Sequence, residues 1–98
     1  MSKLAQTQVD IATVCDEIKE LLLEKNRLYG DSATNPVRVF SKADPTEAIL
    51  IRMDDKLSRI RNMNRDDSED AYLDLLGYLV LYRVAKLQQR RVDNFVIT

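Results

Sequence analysis

Ninety-eight residues allow one small domain with a modest core. Fifteen lysines and arginines balance sixteen acids, a net charge of −1 that argues against a DNA or RNA polymer as partner. There is no histidine, which removes Ser-His-Asp and Cys-His catalysis and leaves only hard, oxygen-bound metals such as Mg²⁺.

Residues 1–8 are polar and read as a frayed arm. The start, Met-Ser-Lys-Leu-Ala-Gln, lacks the apolar core of a signal peptide, so a cytoplasmic location is expected. From about Val9 to Leu28 the pattern is helical. Ile11, Cys15, Ile18 and Leu22 form one face, widened by Val14, Leu21 and Leu28. Cys15 is the only cysteine. Its place in that face reads as a small buried hydrophobe, and a reducing compartment fits a chain with no disulfide partner for it. The helix is rich in acids, Asp16, Glu17, Glu20 and Glu24, of which Glu17 and Glu24 flank the apolar stripe. Gly30, in Tyr29-Gly-Asp-Ser32, is a stop signal, because glycine accepts the left-handed cap. A long loop, Asp31 to about Ala43, follows. It contains Asn35-Pro36, and Val37, Val39 and Phe40 suggest that it packs down.

The second helix has a clear start: Asp44 as N-cap, Pro45 at the first helical position and Glu47 two residues on. It should run to about Asn62. At about 100° per residue, Ile49, Met53, Leu57 and Ile60 share a face. Arg52, Asp55, Lys56 and Arg59 form a second stripe whose centre lies roughly 100° from the first. Three cations and a carboxylate bordering a core suggest an anion site. The plainer alternative is a surface helix with an Asp55–Arg59 pair.

The polar stretch Asn64-Arg-Asp-Asp-Ser68 connects to the last helix, about Ser68 to Arg90, capped by Asp67 or Ser68. From Tyr72 to Leu87 this helix is apolar almost all round, which predicts a central, buried element. Asp74 stands out within it. A buried carboxylate costs several kcal/mol unless it is paired or metal-bound. A salt bridge to Arg52, Lys56 or Arg59 is one reading and a functional role is the other. Gly77 predicts close approach of another helix. The tail Phe95-Val-Ile-Thr98 is expected to dock onto its own domain or a neighbouring subunit. The longest apolar run, Leu75 to Tyr82, is too short to span a membrane. P-loop, GxGxxG, CxxC and HExxH patterns are absent.

Four pieces stand in order: Lys25-Asn-Arg-Leu-Tyr-Gly-Asp31, Arg52-x-x-Asp55-Lys56-x-x-Arg59, Asp70-x-x-x-Asp74 and Gly77-Tyr78. Over about residues 14–86 the chain resembles the nucleotide-modification-associated domain 1 family of phages and bacteria. That family is similar to the all-α nucleoside triphosphate pyrophosphohydrolases, the MazG and dimeric dUTPase group. The pyrophosphohydrolases bind Mg²⁺ through an ExxE and a later ExxD. Glu17-x-x-Glu20 matches the first in letters. In the second, Ala71 stands where an acid is expected and the acid is Asp70. The resemblance therefore implies Glu17, Glu20, Asp70 and Asp74 as metal ligands if the chain hydrolyses nucleotides.

The resemblance places nucleotide binding ahead of hydrolysis, with Lys25, Asn26, Tyr29, Arg52, Asp55, Lys56, Arg59 and Asp74 as ligand-binding residues. Tyr29 would stack on a base, or else serve as a helix-end core aromatic. A phage setting would make a modified nucleotide, or a host nucleotide signal to be sequestered in the host cytoplasm, the natural ligand. The remaining alternative is a helical oligomerisation protein without a small ligand. The expected architecture is a single all-α domain over 1–98, with arms at 1–8 and 92–98. It is a compact bundle of three main helices with a long loop between the first two, assembled as a homo-oligomer.

Overall fold

The computed structural model describes residues 2–35, 44–62 and 68–97, with the side chains of 68–70 and 95–97 outside that description. It is all-α, as the periodicities predict, and the described residues contain no strand. Three helices follow in order: α1, Lys3–Tyr29; α2, Pro45–Asn62; and α3, Ser68–Ile97. The chain divides into two compact units, Met1–Gly30 and Asp31–Thr98. No helix among the described residues is long and apolar enough to cross a membrane.

The first unit is α1. Its start lies six residues before the expected one, because Ser2 supplies a cap: its hydroxyl accepts from the Ala5 amide at 3.1 Å. Residues 3–8, expected as an arm, are therefore the first turns of the helix. The end is where glycine puts it. Gly30 has φ 68°, and its amide donates to the Asn26 carbonyl at 2.8 Å. The apolar face is only partly realised. Ile18 is buried, but Ile11 and Val14 are about half exposed. Cys15, expected inside, is exposed as well. The apolar stripe marks a capacity for burial, and of Ile11, Val14, Cys15 and Ile18 only Ile18 reaches it.

The second unit is a helical hairpin in which α2 and α3 pack together. Residues 31–35 enter it through a turn, with the Asn35 amide donating to the Asp31 carbonyl at 2.6 Å. The expected docking of Val37, Val39 and Phe40 lies outside the described residues, as does Asp67. The cap of α2 is formed as expected. Asp44 Oδ1 accepts from the Glu47 amide at 2.9 Å and from the Thr46 hydroxyl at 2.6 Å.

The seam of the hairpin alternates three- and four-residue steps. On α2 its positions are Thr46, Ile49, Met53, Lys56 and Ile60, all buried or half-buried. On α3 they are Ala71, Asp74, Tyr78, Leu81 and Ala85, likewise. This alternation is the spacing that lets the ridges of one helix enter the grooves of another. Ala71 and Ala85 are among the deepest residues, and Gly77 is buried beside them. All three are small residues.

Two sequence expectations are corrected by this seam. Leu57, assigned to the buried face of α2, is 51% exposed, and Lys56 takes the seam position instead. The four-three-four step from Ile49 passes through 53, 56 and 60, which leaves residue 57 one place off the contact line. Helix α3 is also not buried all round. Tyr72, Leu73, Leu76, Leu79, Val80 and Leu87 are 37–56% exposed, because α2 covers one side only. Finally, α3 continues through residues 92–97, which were expected as a separate arm.

Asp44 also lies within electrostatic reach of α3. Its carboxyl is held below the ordinary aspartate value by the Thr46 hydroxyl first, then by the Glu47 amide, with a smaller contribution from the charge of Lys86. Lys86 in turn lies 5.5 Å from the Tyr82 ring centroid. A lowered folded-state pKa means that the cap stabilises the fold above the unfolded value and loses that contribution as pH falls through the folded one. Asp44→Ala should therefore lower the melting temperature by a few degrees at pH 7, while Asp44→Asn, still a good cap, should lower it less. The gap between wild type and Asp44→Ala should narrow as pH falls below about 4. An unchanged melting temperature for Asp44→Ala at pH 7 would remove the cap as a determinant of α2.

Candidate functional site

The charged stripe of α2 contains two kinds of residue. Lys56 occupies a seam position, and its Nζ lies 3.2 Å from Asp74 Oδ2 across the hairpin. Their side chains are 18% and 32% exposed, so the pair is largely shielded while Asp74 keeps some contact with solvent. Of the three cations expected to neutralise Asp74, the structure selects Lys56. Arg52, Asp55 and Arg59 are exposed, and no ion pair among the described residues engages them. The Asp55–Arg59 pair allowed by their spacing is not formed.

The reason is geometric. Lys56 follows Met53 by three residues and so projects into the interface, where its long stem crosses apolar surface and its ammonium meets a carboxylate. Arg52 and Arg59 each lie one place before a seam position, at Met53 and Ile60, and flank the contact on one side. They are seven residues apart, about 10 Å along the helix. Their guanidinium groups offer planar forks of donors on the border of the hairpin.

The remaining expected residues are distributed as follows. Lys25, Asn26 and Tyr29 belong to the first unit, at the end of α1, and all are exposed, Tyr29 by 72%. Tyr29 is thus not a core aromatic. Asn26 serves the helix end, where its Nδ2 donates to the Gly30 carbonyl oxygen at 3.3 Å and helps close the last turn. Glu17 and Glu20 are exposed on α1, with Glu20 Oε1 at 3.9 Å from Lys19 Nζ. The Asp70 side chain lies outside the described residues. Among those described, no group of three or more acids or cysteines is placed to hold a metal ion.

One feature escaped the sequence reading: the bidentate pair of Arg27 with Glu24, at 2.6 and 3.0 Å. The three-residue spacing on an exposed helix face was the available signal. It lowers the Glu24 pKa and raises that of Arg27.

The Lys56–Asp74 pair yields a direct expectation. A shielded ion pair contributes specificity more than net stability, since its attraction roughly offsets its desolvation. The double variant Lys56→Leu/Asp74→Leu should therefore unfold in urea within about 1 kcal/mol of wild type, or later. A loss of several kcal/mol would mean that the pair itself supplies net stability. No protein-family model, curated protein or solved structure matches the chain.

Proposed function

We propose that the charged border of the α2–α3 hairpin binds a nucleotide or another phosphate-bearing small molecule. The observation that supports this is the division within one stripe. Lys56 is committed to Asp74, whereas Arg52 and Arg59 keep their donors exposed on the same flank. Exposed arginines without an ion pair among the described residues are suited to phosphate oxygens, which accept two parallel hydrogen bonds from one guanidinium. The spacing of about 10 Å lets two long side chains converge on a polyphosphate. Asp55, on the same stripe, offers an acceptor for a ligand hydroxyl. Lys56 then has an indirect part: it neutralises Asp74, so that no uncompensated carboxylate repels the incoming anion.

Calorimetric titration of the protein with ATP and with pyrophosphate, each with and without Mg²⁺, tests the reading. Arg52→Ala and Arg59→Ala should each weaken binding by roughly tenfold to a hundredfold, the usual effect of one charge-assisted contact. Melting temperatures should be unchanged, because neither side chain has an ion-pair partner among the described residues to strand. No heat with either probe, or unaltered affinity in both variants, would end the proposal.

Product analysis of the same mixtures addresses hydrolysis. Binding without turnover would make the protein a sequestering module. Turnover that requires Mg²⁺ and disappears in Asp74→Asn would instead favour a pyrophosphohydrolase, with Asp74 exchanging Lys56 for metal. Turnover surviving excess chelator would count against that carboxylate–metal mechanism.

A further inference from the structure

Helix α3 carries a second row of contact positions on the side away from α2. They are Leu73, Leu76, Val80, Arg83, Leu87 and Arg90, all exposed. The steps between them alternate three and four residues, as in the seam that faces α2. Each of the first five follows an α2-facing position by two residues, about 200° around the helix. The outer row therefore has the spacing of a helix seam, and α2 does not cover it. Its four aliphatic side chains are 37–42% exposed.

Two of the six positions hold arginine. Arg83 sits between Val80 and Leu87, and Arg90 follows one heptad later, about 10 Å along the axis. Neither has an ion-pair partner among the described residues. The seam with α2 shows what such a position requires. There Lys56 stands between Met53 and Ile60 and meets Asp74 of the facing helix at 3.2 Å. A helix that brought only apolar residues to the outer row would strand both arginines.

Other occupants fit the row less well. A helix lying in a lipid surface presents a continuous apolar face with its cations on the polar side, whereas Arg83 interrupts this row between Val80 and Leu87. A free phosphate would satisfy the arginines and leave the four aliphatic side chains in water.

We propose that the outer row of α3 docks an amphipathic helix of a different protein, with apolar residues at three- and four-residue spacing and two carboxylates seven residues apart. The carboxylates face Arg83 and Arg90 as Asp74 faces Lys56, and the apolar residues cover Leu73, Leu76, Val80 and Leu87. The charges set the register, since a slip of one heptad leaves one arginine opposite an apolar residue. Lys86 and Arg91 lie on the two flanks of the row and add to the preference for an acidic partner. Arg52 and Arg59 are on α2 and take no part in this surface.

The probe is a synthetic helical peptide about three heptads long, with leucine at its seam positions except for glutamate at two of them, seven residues apart. Fluorescence anisotropy of the labelled peptide should show saturable binding to the intact chain. The same peptide with lysine in place of both glutamates should bind more weakly by roughly tenfold or more. Arg83→Glu combined with Arg90→Glu should reverse that preference, a result that unfolding cannot produce, and circular dichroism should show unchanged helix content. Equal affinity for the two peptides, or binding of neither, would overturn the proposal. Binding to phosphatidylserine vesicles that the double variant loses would also overturn it and assign the row to a membrane. Self-association that the double variant loses, read by sedimentation, would overturn it in favour of a second copy.

Discussion

The second unit depends on one contact between unlike helices. Lys56 and Asp74 meet at 3.2 Å in a seam whose other positions are Thr46, Ile49, Met53 and Ile60 against Ala71, Tyr78, Leu81 and Ala85. A cation and an acid in such a seam constrain alignment, because any slip leaves one or both shielded charges without a partner. The same alignment appears at the other end. Asp44 feels the charge of Lys86, and both pairs are separated by twelve residues on each helix, about 18 Å. The small residues Ala71, Gly77 and Ala85 are all buried on α3.

Much of this was legible in the sequence, and the reasons differ from element to element. Gly30 and Asp44 mark boundaries because their signals are local: a left-handed cap and a side-chain oxygen beside free amides. Ser2 is the same kind of signal, but the polar residues after it hid the first turns of α1. Asp74 was recognisable as a residue needing a partner, since a carboxylate among leucines has few stable alternatives. Which cation it takes was not. Arg52, Lys56 and Arg59 lie on one stripe, and only the turn of α2 relative to α3 places Lys56 inward. The same rotation moves Leu57 out of the buried face. Periodicity alone locates a face to within about one residue, and one residue decides between a seam lysine and a surface one. Cys15 and the outer face of α3 illustrate a second limit. An apolar stripe records a capacity for burial, and what covers it depends on tertiary or quaternary contacts.

The chemistry open to the hairpin follows from that sorting. A lysine bound to an aspartate is part of the framework, and the two arginines beside it are exposed with no ion pair among the described residues. Pairing and exposure thereby fall to different members of one stripe, although all are basic residues one or two turns apart. The apolar outer face of α3 is a separate surface, left exposed by the hairpin. A chain of 98 residues builds only a modest core, and much apolar surface of α3 stays in water.

The most direct check on the central contact is a double-mutant cycle. Urea unfolding of wild type, Lys56→Ala, Asp74→Ala and the double alanine variant isolates the interaction between the two side chains from their separate effects. A favourable coupling of about 1 kcal/mol or more is expected for an ion pair shielded in the seam. A coupling near zero, with each substitution acting independently, would contradict the pair as the constraint that aligns α2 with α3.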